Sequence, residues 1–209
     1  ELVSSLVDDS VGVVRSLQEV RSEVGSPQFF HYSAALPNTV ELGGQPCNSW
    51  TGAAASTRGG AALRALTDAV ACYCAACRFQ AVMPPVCSAR SAAFPVLTPA
   101  EFDWFDAAQY NKPEFPWRPF DEGTPVYWME AFDPAGDVPI FVPAALVFLP
   151  HVIFANEGEV SIAPATSTGL ACHRTRQGCA IEAICDVVEC DALMRCWFGR
   201  SALAQVRVE

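Results

Sequence analysis

Apolar residues recur at steps of three and four in two proline-free stretches, 53–80 and 172–200. Leu63, Leu66, Val70, Tyr73 and Cys77 mark the stripe in the first, and Ile181, Ile184, Cys185 and Val188 in the second. Each stretch predicts an amphipathic helix packed on a core. Between them the period shortens. Twelve of the sixteen prolines fall within 84–150, and the apolar runs 124–132 (TPVYWMEAF) and 138–149 (VPIFVPAALVFL) have the length of strands. The AGD at 135–137 predicts the turn of a hairpin between them. Residues 94–123 scatter Phe94, Phe102, Trp104, Phe105, Phe115, Trp117 and Phe120 among prolines, which predicts an ordered loop pinned over a sheet by its rings. Helices and strands without strict alternation indicate an α+β fold.

Composition narrows the class. Of 209 residues, 51% are hydrophobic and 17% charged, enough apolar material for a sizeable core in one or two domains. The net charge is −10, and Lys112 is the sole lysine, so the electrostatic footprint of a nucleic-acid binder is missing. Ten cysteines are too sparse for a disulfide scaffold and read as reduced thiols of a cytoplasmic protein. The uncharged run 138–155 is long enough to suggest a membrane span, but Pro139, Pro143 and Pro150 interrupt it, which favours short buried strands. The first residues carry no basic segment ahead of an apolar one, so neither signal peptide nor anchor is expected. A chain opening on Glu1 is expected to be a fragment.

Residues 62–73 (ALRALTDAVACY) and 180–191 (AIEAICDVVECD) align at an offset of 118, identical at five of twelve positions. Positions three apart on a helix lie about 60° from eclipsed. Asp186 and Glu189 therefore project from one face, and their repeat mates are Asp68 and Ala71. If the two helices face each other around a pseudo-two-fold, three carboxylates converge and require cations. Hard oxygen ligands favour magnesium, which usually arrives with phosphates. The same spacing is common on solvated helix faces. Ser167, Thr168 and Gly169 form a hydroxyl-rich turn ahead of the second helix, where amides cap it or meet an anion.

The segment 166–192 (TSTGLACHRTRQGCAIEAICDVVECDA) resembles the central signature of the YcaO superfamily, a small-Gly-Leu-Ala turn followed by a helix with ExxERDA. ALRALTDAVACYC resembles the family's earlier SALxEAxERY, and LVDDSVGVVRSL its opening; FPVLTPAEFDWF, FPWRPF, TPVYWMEAF and VPIFVPAALVFLPH follow its intervening order. The resemblance implies a pseudo-symmetric α+β fold with mixed or antiparallel sheets, one domain over 1–209 with motif-bearing halves 1–90 and 91–209. It implies ATP and Mg2+ as cofactors in the activation of peptide backbone amides. A Cys, Ser or Thr side chain adds to the preceding carbonyl, whose oxygen leaves as phosphate, giving an azoline; related members make thioamides or amidines. A diverged, non-catalytic scaffold that binds a peptide or partner is the alternative. The implied partners are a precursor peptide or protein and a protein that delivers it, with room for a homodimer, and neither nucleic acid nor membrane.

By position in the motifs, Asp68, Asp186 and Glu189 are the implied metal ligands, and Arg64, Ser167 and Glu182 the implied nucleotide contacts. An Arg64–Glu182 ion pair is an equally economical reading of those two, and a capping role of Ser167. The motif Glu is shortened at Asp68 and Asp186 and absent at Ala71, the motif Arg is replaced by Cys72 and Cys190, and a frequent Glu before the second helix is Gly178. Cys74 and Cys77 form a lone CxxC that reads as core, with zinc binding as the rival, and His31, His151 and His173 show no metal-site spacing. Family members continue well past the second motif, so the chain is expected to be truncated or completed by another.

Overall fold

The computed structural model describes residues 5–21, 25, 28–40, 49–77, 85–102, 104–132, 138–153 and 155–200. The chain divides into two compact units, Glu1–Thr166 and Ser167–Glu209. In the first, β1 (Ser16–Val20), β2 (Phe30–Ala35) and β3 (Trp50–Ala55) make an antiparallel sheet with β2 central. Burial alternates along β3, placing Thr51, Ala53 and Ala55 inward. α1 (Arg58–Ala76) packs on β3 and β2. Its buried side is built from Ala61, Ala65, Leu66, Ala69, Cys72 and Ala76. Small side chains on both elements let the backbones approach, and Thr51 Oγ1 donates to the Ala65 carbonyl at 3.4 Å. This corrects the predicted stripe: Leu66 is fully buried, but Leu63 is 50% exposed and alanines occupy the contact face. A leucine-led pattern misses a helix seated on an alanine strand.

The predicted hairpin is present as β4 (Trp128–Phe132) and β5 (Pro139–Pro143), paired antiparallel; its predicted turn lies outside the described residues. Pro139 and Pro143 stand at the two ends of β5, where missing N–H groups are tolerated. Trp128 is fully buried with Val126 and Ile162 around it, and its Nε1 donates to the Cys87 carbonyl at 3.0 Å. The aromatic loop is ordered as expected. Phe94 meets Trp128 edge-on at 6.4 Å and Phe141 at 4.4 Å, while Phe120 lies 6.2 Å from Trp128. Farther out, beside α2 (Ala107–Tyr110), Phe105 stacks on Trp117 at 5.2 Å with Phe115 edge-on. The Leu149 amide donates to the Ala75 carbonyl at 3.1 Å, which fastens this half of the unit to the end of α1. Beside that link His151 Nε2 and Glu159 Oε1 lie 2.7 Å apart, with side chains only 3% and 1% exposed. Among the described residues no helix is long and apolar enough to cross a membrane.

The second unit consists of the turn at 167–170, a short link and α3 (Arg176–Gly199). None of the α3 residues is fully buried, and Ile181, Ile184 and Val188 are 63%, 57% and 61% exposed. Within the described residues of this unit the predicted stripe has no core of its own to pack on. Its apolar side chains, which also include Val187, Leu193, Met194, Trp197 and Phe198, are distributed all round the axis.

Candidate nucleotide and metal site

Both motif helices start in the same way. Thr57 caps α1 by accepting from the Gly60 amide at 3.1 Å, and Thr175 caps α3 by accepting from the Gly178 amide at 3.1 Å. The cap backbones agree as well, with φ and ψ of −128° and 148° at Thr57 and −127° and 150° at Thr175. The offset is again 118, so the internal repeat extends back through T-R-x-G at 57–60 and 175–178. The sequence carries that signal beside the helical repeat. Thr175 is the cap of α3, which corrects the capping role considered for Ser167.

Ser167 instead closes a turn, its carbonyl accepting from the Leu170 amide at 2.9 Å. Gly169 occupies positive φ, 82°, a conformation that side chains rarely adopt. Its amide donates to Asp186 Oδ2 at 2.7 Å, and Thr168 Oγ1 reaches Cys190 Sγ at 3.8 Å. Asp186 and Cys190 are one helical turn apart, so the turn lies along that face of α3. Glu182, Asp186 and Glu189 follow at i, i+4 and i+7, within about 60° of arc and about 10 Å of axis. Glu182 and Glu189 are exposed and Asp186 is half-buried. The link to the helix is held separately: His173 folds its ring over Gly178, where an added Cβ would lie 1.9 Å from Nδ1, and the His173 amide donates to Cys179 Sγ at 3.0 Å. Gly178 stands where the motif has its frequent Glu, and the imidazole takes that space.

In the first unit Arg64 and Asp68 are exposed one turn apart on α1. Ala71 and Cys72 are 5% and 8% exposed, so the absent acid and the replaced arginine fall on buried positions. This half offers a single motif carboxylate. Among the described residues no three His, Cys, Asp or Glu side chains gather as a metal site. Such a cage is not what magnesium asks for, because it commonly binds one or two carboxylates together with substrate phosphates and keeps several waters. The Asp186–Glu189 pair, with one Asp186 oxygen already oriented by an amide, fits that donor chemistry. None of the nine described cysteines is in a disulfide, and of the CxxC pair Cys74 is exposed and Cys77 half-buried, so the expectation that both are core residues is corrected. A cleft of about 610 Å³ at the open end of the three-stranded sheet, lined by Arg15, Asn38, Thr39 and Trp50, contains none of the motif residues.

The family model described as YcaO cyclodehydratase, ATP- and Mg2+-binding, matches residues 51–209. The chain belongs to the YcaO family. That region takes in both capped helices, the aromatic loop and the turn at 167–170. Among solved structures, YcaO from Methanopyrus kandleri bound with AMPPCP and Mg2+ is similar over 94% of this chain and 43% of that one, at 19% identity and a TM-score of 0.62. A heterocyclase in complex with substrate and cofactor is similar over 80% of this chain and 24% of that one, at 15% identity and a TM-score of 0.59. These likenesses establish the α+β YcaO fold, and this YcaO chain spans less than half the length of either solved relative. No curated protein matches the sequence.

Proposed function

We propose that this YcaO chain takes part in ATP- and magnesium-dependent activation of peptide backbone amides, with cyclodehydration of Cys, Ser or Thr residues in a ribosomally synthesised precursor as the reaction. The observation that carries the reading is the row Glu182, Asp186 and Glu189 along one face of α3, inside the region that matches an ATP- and Mg2+-binding family. Three carboxylates so placed repel one another, and a cation–phosphate group offsets that repulsion. The relatives bound with AMPPCP and Mg2+, and with substrate and cofactor, support the same reading. Bound ATP supplies a phosphoryl group, so that the amide oxygen, once a side-chain nucleophile has added to its carbon, departs as phosphate rather than hydroxide.

In this proposal Asp186 and Glu189 hold magnesium, with Asp68 as a third carboxylate on the strength of the repeat. Arg64, Ser167 and Glu182 face the nucleotide: the guanidinium offers planar donors to phosphate oxygens and Ser167 a hydroxyl. The substrate is a precursor peptide, delivered by a partner protein, in the cytoplasm. Incubation with ATP, Mg2+ and a candidate peptide tests the reading: ADP and phosphate accompanied by loss of water from the peptide support it, and unchanged ATP counts against it. Exchange of the amide oxygen for sulfur from sulfide, or its loss with an amine nitrogen joined to the same carbon, would redirect the chemistry to thioamide or amidine formation. Burial of Ala71 and Cys72 favours one rival, a scaffold that binds peptide or partner without turnover. Nucleotide binding without hydrolysis, or peptide binding alone, would select it.

A further inference from the structure

We propose that Gly169 is a positioning residue for the carboxylate of Asp186, and that the turn and α3 work as one latched piece; this rests on the magnesium–nucleotide reading above. The Gly169 amide donates to Asp186 Oδ2 at 2.7 Å, and this bond orients the side chain about its torsions. One oxygen is thereby committed to the turn. Glycine suits this position on two counts. Its φ is 82°, and a Cβ there would stand 3.2 Å from Val187 Cγ2. A second, weaker contact joins Thr168 Oγ1 to Cys190 Sγ at 3.8 Å.

The two α3 residues that receive the turn, Asp186 and Cys190, are also the two at which the second motif departs from ExxER. A shorter acid and a small thiol leave the space that the turn fills. Asp186 in this chain is thus matched to Gly169, and a longer acid at 186 would push the carboxylate past the amide. Partners that orient a metal ligand are worth about 10- to 100-fold in metal affinity.

The test uses the full chain with Mn2+, an oxygen-preferring stand-in for magnesium, followed by water-proton relaxation with and without ATP. Amide exchange at residue 169 and the thermal midpoint are measured in the same samples. Gly169→Ala keeps every carboxylate yet is expected to weaken Mn2+·ATP retention about tenfold and to speed exchange at residue 169. Asp186→Glu, which restores the motif acid, is expected to do the same. Gly169→Asn with Val187→Ala, which tolerates positive φ and removes the clash, is expected to recover most of the loss. Wild-type affinity in Gly169→Ala, or tighter binding in Asp186→Glu, would overturn the positioning role while leaving the magnesium site in place. Absence of Mn2+·ATP retention in the wild type would overturn the nucleotide reading, and the positioning role with it.

Discussion

Ala71→Glu restores the motif acid at the position where the first helix lacks it, and the structure makes its outcome specific. Ala71 is 5% exposed and lies one turn before Ala75, whose carbonyl accepts from the Leu149 amide. A carboxylate placed there is buried without a partner. Such charges cost several kcal/mol, and about 3 kcal/mol is a conservative figure once relaxation is allowed. At about 2–4 °C of midpoint per kcal/mol for a chain of this size, the variant melts roughly 6–12 °C below the wild type near neutral pH. The sign with pH follows. Burial raises the folded-state pKa of the new Glu above its unfolded value, so the penalty is full above the folded pKa and disappears below the unfolded one, near 4.3. The assay is thermal unfolding at pH 7 and pH 4.5, alongside Mg2+·ATP titration. A wild-type midpoint at pH 7 together with tighter nucleotide binding would refute the reasoning, because it would mean that position 71 is open to solvent and belongs to the site.

Trp128→Ala removes the largest fully buried side chain and its bond to Cys87, and is expected to cost about 3–5 kcal/mol in urea unfolding; a loss below about 1 kcal/mol would contradict the placement of the core around it. Glu159→Ala removes the buried contacts of this carboxylate with His151 Nε2 and the Tyr127 amide and is expected to destabilise by about 1–3 kcal/mol, whereas a surface pair would lose less than about 1 kcal/mol in the same measurement. Thr57→Ala removes the cap of α1 and is expected to cost about 1 kcal/mol by chemical unfolding, with Thr175→Ala speeding amide exchange in the first turn of α3 by several-fold. Asp121 accepts from Thr124 Oγ1 and the Gly123 amide, which hold its carboxyl below the usual range; the stability it adds is present above its unfolded pKa and lost as pH falls through the lower folded one, so Asp121→Asn should flatten the acid limb of a stability–pH curve.

Much of this architecture is legible in the chain because strong local signals coincide with tertiary ones. Proline-free stretches framed by T-R-x-G became α1 and α3, and the proline-bounded runs became β4 and β5, since proline is tolerated at strand ends and not within a helix. The aromatic loop was readable because seven large rings among prolines have few ways to bury themselves other than on one another. The contact face of α1 was not. Alanine carries little hydropathy, so the helix registers with β3 through steric fit, which a periodicity of leucines cannot report. The stripe on α3 was less legible for the converse reason: Ile181, Ile184 and Val188 form a convincing stripe only while Val187, Leu193, Met194, Trp197 and Phe198 are ignored.

For the site, the acid pair Asp186 and Glu189 and the hydroxyl-rich turn before α3 stand out from residue types and spacing, while Glu182 is singled out only by the family resemblance. The bond between Gly169 and Asp186 could not, because it depends on a positive φ and on a contact between residues 17 apart. Nor could the burial of Ala71 and Cys72, which turns two apparent motif losses into positions that face the interior. The pairing of His151 with Glu159 was equally silent: an eight-residue separation across an irregular segment has no periodic signature.

In the proposed function the carboxylates of α3 hold a magnesium-bound nucleotide. Calorimetric titration of the chain with ATP, in Mg2+ and in chelator, compared between the wild type and Glu189→Gln, tests it most directly. Saturable binding that requires Mg2+ and weakens at least about tenfold in the variant is expected, in keeping with loss of one of few protein ligands. Binding that is indifferent to Mg2+ or unchanged in Glu189→Gln, or no binding at all, would contradict it.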